Sequence, residues 1–388
     1  MNGSEAARVL GVSVRHVKRL KKRVKQEGAK GVIHGNRGKA SNRRIPDSER
    51  EKIAKILKER YADFHPLHAS EKLAEAHAII RDPKTIRKIM IEEKLWKPKK
   101  GKKKQEHRQW RQRRSFYGEM EQFDGCYHAW LEERYEGKLC LLLSVDDATS
   151  TLTHGKFCMN EGIDDVFEFW QEYVKKHGKP LSIYMDKFST YKMNHKEAQE
   201  NPDTKTQFGR SLEQLGIGAI FANSPEAKGR VEVRFETLQN RLIKEMRLRN
   251  ICTVEEANKY VQEEFMFWFN TRYGVAPRGE EDLHKPLTKK EKEQLPSIFS
   301  RHTERTVQND FTISYKTQWY QILEKQSVTV QKKDKVIVEE RRDKSIHVRL
   351  RGKYLNIRSI PKTQKKIKKT LPWVIAATAA PKTEKVTA

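Results

Sequence analysis

Apolar positions fall into three regimes along the chain, each with its own period. Over residues 4–25 they are sparse and helical: Ala6, Ala7 and Leu10, then Val17 and Leu20, separated by Gly11-Val12-Ser13. That spacing predicts helix, tight turn, helix, with Ser4 and Ser13 as N-caps and the second helix as the reader of a helix-turn-helix. Helical spacing resumes over Asp47 to Tyr61, His68 to Ala78 and Lys84 to Leu95. Asp82-Pro83 is a strong start signal for the last of these, and the group reads as a second helix-turn-helix.

From residue 119 strand-like runs alternate with helices. Leu139 to Val145 is continuously apolar, as in a strand buried on both faces. Asp146-Asp147-Ala148-Thr149-Ser150 turns the chain, and Thr151 to Phe157 returns as a hairpin. Helix over Ile163 to His177, strand over Leu181 to Met185, short helix over Phe208 to Leu215 and short strand over Ile217 to Phe221 follow. Val231, Phe235, Leu238, Leu242 and Met246 mark a long helix, and Thr253 caps another through Asn270. A mixed five-stranded sheet flanked by helices fits this order. Short β-like runs at regular spacing return over 311–360 and predict a small β-barrel or sandwich.

The expected organisation is a helix-turn-helix over 1–45, a second helical domain over 46–96 and a basic linker over 97–118. An α/β core over 119–297, a small β-barrel over 298–361 and a basic disordered tail over 362–388 complete it.

Charge narrows the partner. The 388 residues carry a formal net charge of +28, with 34% charged residues and a mean hydropathy of −0.87. Residues 1–50 hold fourteen Lys/Arg against four Asp/Glu, and 97–114 hold ten against one. A polyanion is the expected partner, and the basic segment an arm on nucleic acid. No apolar run approaches the roughly 18–20 residues of a membrane span, and no secretory leader is visible. A soluble, cytoplasmic protein is expected, with no membrane partner and no small-molecule substrate. Cys126, Cys140, Cys158 and Cys252 form no CxxC pair, which argues against zinc ribbons and dithiol redox motifs. His65 and His68 lack a partnering cysteine pair and read as helix surface rather than zinc ligands.

Three carboxylates stand out. Asp124 follows Met120-Glu121-Gln122-Phe123, Asp186 ends Leu181 to Met185, and Glu232 lies near the start of a helix. They are 62 and 46 positions apart (186 − 124 and 232 − 186), so only the fold could gather them. Hard oxygen ligands on separate elements suit a pair of Mg²⁺ ions, with Mn²⁺ as substitute. Asp124 is expected to bridge the metals, with Asp186 and Glu232 each completing one. Asp146 and Asp147 are rivals that turn capping explains without metal. Lys187, Lys228 and Arg230 flank the carboxylates and suit phosphate contacts. Arg15, His16, Lys18 and Arg19 lie on the first reader helix and suit DNA contacts.

Gln122-Phe123-Asp124-Gly125, Val145-Asp146-Asp147-Ala148-Thr149-Ser150 and Tyr184-Met185-Asp186-Lys187 are specific stretches. So are Thr206 to Arg210, Phe221 to Glu232 and Thr237 to Leu242. On these, over nearly the whole chain, the sequence resembles a DDE transposase with a ribonuclease-H-like integrase core, closest to the ISNCY insertion-sequence family. The resemblance implies that Asp124, Asp186 and Glu232 are the catalytic carboxylates. It also implies binding of terminal inverted repeats, hydrolysis that frees a 3′-OH, strand transfer into target DNA, and a homo-oligomer of at least two copies. Val233 departs from the arginine the family commonly carries there, which puts a DNA contact in doubt. The family also implies a further helix ahead of the first helix-turn-helix. Two other readings stay open at this point: a DNA-binding regulator with an inactive core, and a ribonuclease-H-like nuclease that cuts without joining.

Overall fold

The computed structural model describes residues 2–34, 37–38, 44–98, 112–186, 206–221 and 229–360, with the backbone of 374–375. The arm's densest stretch, the tail apart from Val374–Ile375, and both Lys187 and Lys228 lie outside the described residues. The chain divides into two compact units, Met1–Lys103 and Lys104–Ala388.

In the first unit, α1 (Gly3–Leu10) and α2 (Val14–Glu27) are joined through Gly11, whose φ of 62° suits glycine. Ser13 caps α2 by accepting from the His16 N–H. Ser4 does not cap α1: Asn2 does, in a reciprocal capping box with Glu5, two residues earlier than the serine suggested. Then α3 (Asp47–Arg60), α4 (Pro66–His77) and α5 (Pro83–Glu92) pack around Ile53, Leu57, Phe64, Leu73, Ile86 and Met90. Asp82 caps α5 through the Lys84 N–H. The expectation that His68 lies on a helix surface is overturned. It is 1% exposed, with its ring 4.6 Å from that of Phe64, because α4 turns this face into the core.

The second unit is built on a sheet of β1 (Glu121–His128), β2 (Leu139–Asp146), β3 (Leu152–Cys158), β4 (Ser182–Met185) and β5 (Gly218–Phe221). Their order is β3-β2-β1-β4-β5. β2 is antiparallel to both β1 and β3, whereas β4 runs parallel to β1 and β5 parallel to β4. This is the expected mixed sheet with its hairpin. Every residue of β2 is buried, as its unbroken apolar run requires. On one face pack α6 (Ile163–His177) and α7 (Gln207–Leu215), around Phe123, Trp170, Ile183, Met185 and Phe208. On the other lie α8 (Gly229–Leu248), α9 (Val254–Tyr260) and α10 (Met266–Tyr273), around Leu141, Leu143, Val231, Phe235, Leu238 and Phe265. The helix expected from Thr253 through Asn270 is interrupted: α9 and α10 are joined by a π-helical turn, Val261–Phe265.

The outer strand of this sheet is closed off by side-chain amides. Asn258 bonds both the N–H and the carbonyl of Phe157, at 2.6 and 3.0 Å. Asn270 does the same for Leu152, at 2.7 and 2.8 Å, and Gln262 donates to the Gly155 carbonyl. Residues 152, 155 and 157 thus have polar backbone groups satisfied without a further strand.

After α11 (Lys289–Ile298) come short strands, but the expected closed barrel is not what they form. β6 (Arg301–Thr306), β10 (Lys335–Glu340), β11 (Ile346–Leu350) and β12 (Lys353–Leu355) make one open sheet. β7 (Thr312–Tyr315), β8 (Gln318–Ile322) and β13 (Ile357–Ile360) make another, and β9 (Val330–Gln331) pairs with β14 (Val374–Ile375). The break falls at Asn356, between β12 and β13. Its N–H donates to the Gln326 side chain and its carbonyl accepts from Leu323, so the strand leaves one sheet for the other instead of closing a barrel. Val307, Phe311, Ile313, Val336, Val338 and Val348 fill the space between. This domain is tied to the core by Gln207, which bonds both backbone groups of His302, and by Arg301, which grips Asp164 with two nitrogens at 2.9 and 3.1 Å.

Candidate active site

The sheet register gathers the first two carboxylates. Gln122 of β1 is paired with Tyr184 of β4. Asp124 and Asp186 each lie two residues past that pair, where β1 runs on and β4 has just ended. The period-2 alternation places both on one face. Phe123, Ile183 and Met185 point into the α6–α7 side, so Gln122, Asp124 and Asp186 belong to the α8 side.

Helix α8 brings the third. Its Val231 N–H donates to the Gln122 side chain at 3.3 Å, and its Gln239 amide reaches the Cys126 sulfur at 3.4 Å. The helix therefore runs along β1, over Asp124. Glu232 precedes Gln239 by seven residues, two helical turns, so both lie on the flank turned toward β1. The opposite flank, Arg234 and Arg241, faces α10: Arg234 donates to the Tyr273 carbonyl, and Arg241 lies 5.4 Å from the Trp268 ring centre. Asp124 and Asp186 are half-buried and Glu232 is exposed. Asp124 accepts from the Gly125 N–H at 3.1 Å. Among the described residues no three His, Cys, Asp or Glu side chains come close enough to hold a metal ion. Asp124 and Asp186 lie on one face of the sheet's interior strands and α8 carries Glu232 along that face, without a closed ligand set.

The rival aspartates divide their roles. Asp146 is the turn residue, accepting from the Thr149 N–H and hydroxyl, both at 2.7 Å, and from the Gly118 N–H. Asp147 does something the turn pattern did not suggest. Fully buried, it accepts from the Gln122 amide at 2.6 Å, the Arg114 N–H at 2.8 Å and the Arg230 guanidinium at 2.5 Å. Arg230, expected at a phosphate, is thereby committed to a carboxylate inside the protein. Gln122 was visible only as part of the Gln-Phe-Asp-Gly stretch; its period-2 relation to Asp124 was the available signal.

Glu121 was missed altogether. It lies on the far face of β1, fully buried, and accepts from the Ser144 and Thr153 hydroxyls. Burial raises its pKa far above the carboxylate range, and the neighbouring Asp146 adds to the shift. On the reader helix, Arg15, Lys18 and Arg19 are exposed, whereas His16 is half-buried.

Comparison with known proteins places the chain. Residues 1–51 match the winged helix-turn helix family. The y4bF transposase candidate of Sinorhizobium fredii is 39% identical over 325 residues, covering 84% of this chain and 69% of that protein. The chain belongs to the insertion-sequence transposases. The transposase for insertion sequence IS1202 of Streptococcus pneumoniae is 28% identical over 392 residues, 90% of this transposase and 81% of that one. Among solved structures, a chain of the simian T-cell lymphotropic virus intasome aligns at 15% identity and a TM-score of 0.34, over 80% of this transposase and 99% of that chain. The HTLV-2 integrase catalytic core domain, solved in complex with magnesium, aligns at 18% identity and a TM-score of 0.30, over 42% and 90%. At such low TM-scores neither alignment bears on the site. No helix among the described residues is long and apolar enough to cross a membrane.

Proposed function

We propose that this transposase binds the terminal inverted repeats of its element, hydrolyses a phosphodiester at the element end and joins the freed 3′-OH to target DNA. The carrying observation is the shared face of Asp124, Asp186 and Glu232, set by the β1–β4 register and by the run of α8 along β1. Three hard oxygen donors fit Mg²⁺, or Mn²⁺ in its place. Asp124 would hold both ions of a pair and Asp186 and Glu232 one each. Such a pair activates the attacking oxygen and stabilises the leaving one. The strand backbone fixes Asp124, while Glu232 sits in the first turn of a helix whose position depends on side-chain bonds. Helix α2 presents Arg15, Lys18 and Arg19 to the DNA of the element end. Joining two ends calls for at least two copies of the chain.

The test uses a labelled element end and an unlabelled target with Mg²⁺. Joined product supports the transposase reading; cutting without joining makes the protein a nuclease, and no product makes it a regulator. Asp124→Asn, Asp186→Asn and Glu232→Gln each keep shape and remove a charge. Each is expected to abolish cutting and joining while end binding persists. Substantial joining by any one of them removes that residue from the site.

A further inference from the structure

We propose that Asp147 and Arg230 are a positioning pair that sets the first turn of α8, and with it Glu232, against β1. The proposal rests on the reading of Glu232 as a site carboxylate.

Three bonds close a small network. Asp147 accepts from Arg230 and from the Gln122 amide N–H groups; the Gln122 carbonyl oxygen accepts from the Val231 N–H. Arg230 and Val231 are the two residues immediately before Glu232. Gln122 is two residues before Asp124, on the same face of the same strand. The network thus ties the strand that carries one carboxylate to the helical turn that carries another. The Arg114 N–H, on the same Asp147, anchors the segment entering the core.

Turn capping does not account for this carboxylate, because Asp146 caps the turn. Stability does not account for it well either, since a buried ion pair is often no more stabilising than apolar residues of the same volume. What a buried, multiply bonded carboxylate does well is fix geometry, and partners that orient ligands are what hold a metal site to its working shape. Arg230 is 21% exposed at its side chain, so it is substituted more safely than Asp147.

The experiment compares Arg230→Gln, Arg230→Lys and Glu232→Gln with the parent, all as full chains. Three quantities are read: Mn²⁺ binding by electron paramagnetic resonance, joining rate against Mg²⁺ concentration, and affinity for the element end. Arg230→Gln is expected to weaken Mn²⁺ binding and raise the Mg²⁺ needed for half-maximal joining by about ten- to a hundredfold. End affinity is expected to stay within about twofold, and Arg230→Lys, which keeps the charge without the guanidinium's planar fork, to recover part of the loss. Asp147→Asn, which keeps shape and removes the charge, is expected to shift the metal dependence in the same direction. Unchanged Mn²⁺ binding and Mg²⁺ dependence in Arg230→Gln would overturn the proposal. So would a loss confined to end affinity, which would make Arg230 a DNA contact. Parent-like metal binding and joining by Glu232→Gln would instead overturn the underlying site reading, a separate failure.

Discussion

Replacing Glu121 with glutamine isolates one buried charge. Its Oε2 accepts two hydroxyl bonds, from Ser144 and Thr153, while Oε1 has no hydrogen-bond partner among the described residues. Burial is the main cause of its raised pKa, and Asp146 the next. A raised folded pKa means that the native chain keeps a proton which the unfolded chain has already released above the ordinary carboxylate range. Stability from this group is therefore complete at the acid side and is lost as pH rises toward the folded pKa. Within that window the loss is up to about 1.4 kcal/mol per pH unit for one proton. Glutamine has the same shape, keeps a carbonyl oxygen for both hydroxyls and cannot ionise. At neutral pH the variant is expected within about 2 kcal/mol of the parent, the scale of one changed buried polar contact. The pH dependence is the sharper readout. Denaturant unfolding followed by fluorescence of buried Trp130 and Trp170, at intervals from about pH 5 to pH 9, gives both curves. The parent should lose stability with rising pH faster than Glu121→Gln by up to about 1.4 kcal/mol per unit. Other titrating groups, Asp146 among them, contribute to both slopes. Parallel curves would refute the assignment of a proton to Glu121.

Alanine at Arg15 or Arg19 on α2 is expected to cost roughly 1–3 kcal/mol per base contact on the element end and much less on scrambled DNA. Half-buried His16 should lose stability as well as affinity. Gel-shift titration on both DNAs at one salt concentration decides, and equal loss on both would move sequence readout elsewhere. Gly118→Ala should destabilise the core by more than about 1 kcal/mol, because its φ is 75° and a Cβ would lie 2.3 Å from the His284 ring. An unchanged melting temperature would show that His284 yields freely.

The elements that periodicity could read were those whose burial follows from local pattern. The unbroken run of β2, the caps at Ser13 and Asp82 and the apolar stripe of α8 all carry their signal within a few residues. Asp186 and Glu232 could be named because they close and open such elements, whereas Asp124 lies inside β1 and stood out through its Gln-Phe-Asp-Gly stretch. Their common face could not, since it depends on the β1–β4 register and on which flank of α8 meets the sheet. Glu121 looked like a polar position at the start of a strand; only the hydroxyls of β2 and β3 reveal what it meets. Asp147 and Arg230 are 83 residues apart and each looked like surface chemistry, a turn in one case and a phosphate contact in the other. His68 was misplaced because a polar residue within a helix reads as exposed until a neighbouring ring covers it. The closed barrel was expected because strand spacing shows length and number, not which strands pair.

The amides on β3 set a timetable for the growing chain. Phe157 and Leu152 receive their side-chain partners from residues 101 and 118 positions later. During synthesis the hairpin of β2 and β3 is complete long before Asn258 and Asn270 emerge. For that interval a strongly apolar hairpin offers a bare margin to any neighbouring nascent chain. Once the late helices arrive, that margin is occupied, and β3 no longer offers its backbone to a second sheet. Losing either asparagine would then show first as poor yield from translation, and only afterwards as a change in the finished enzyme.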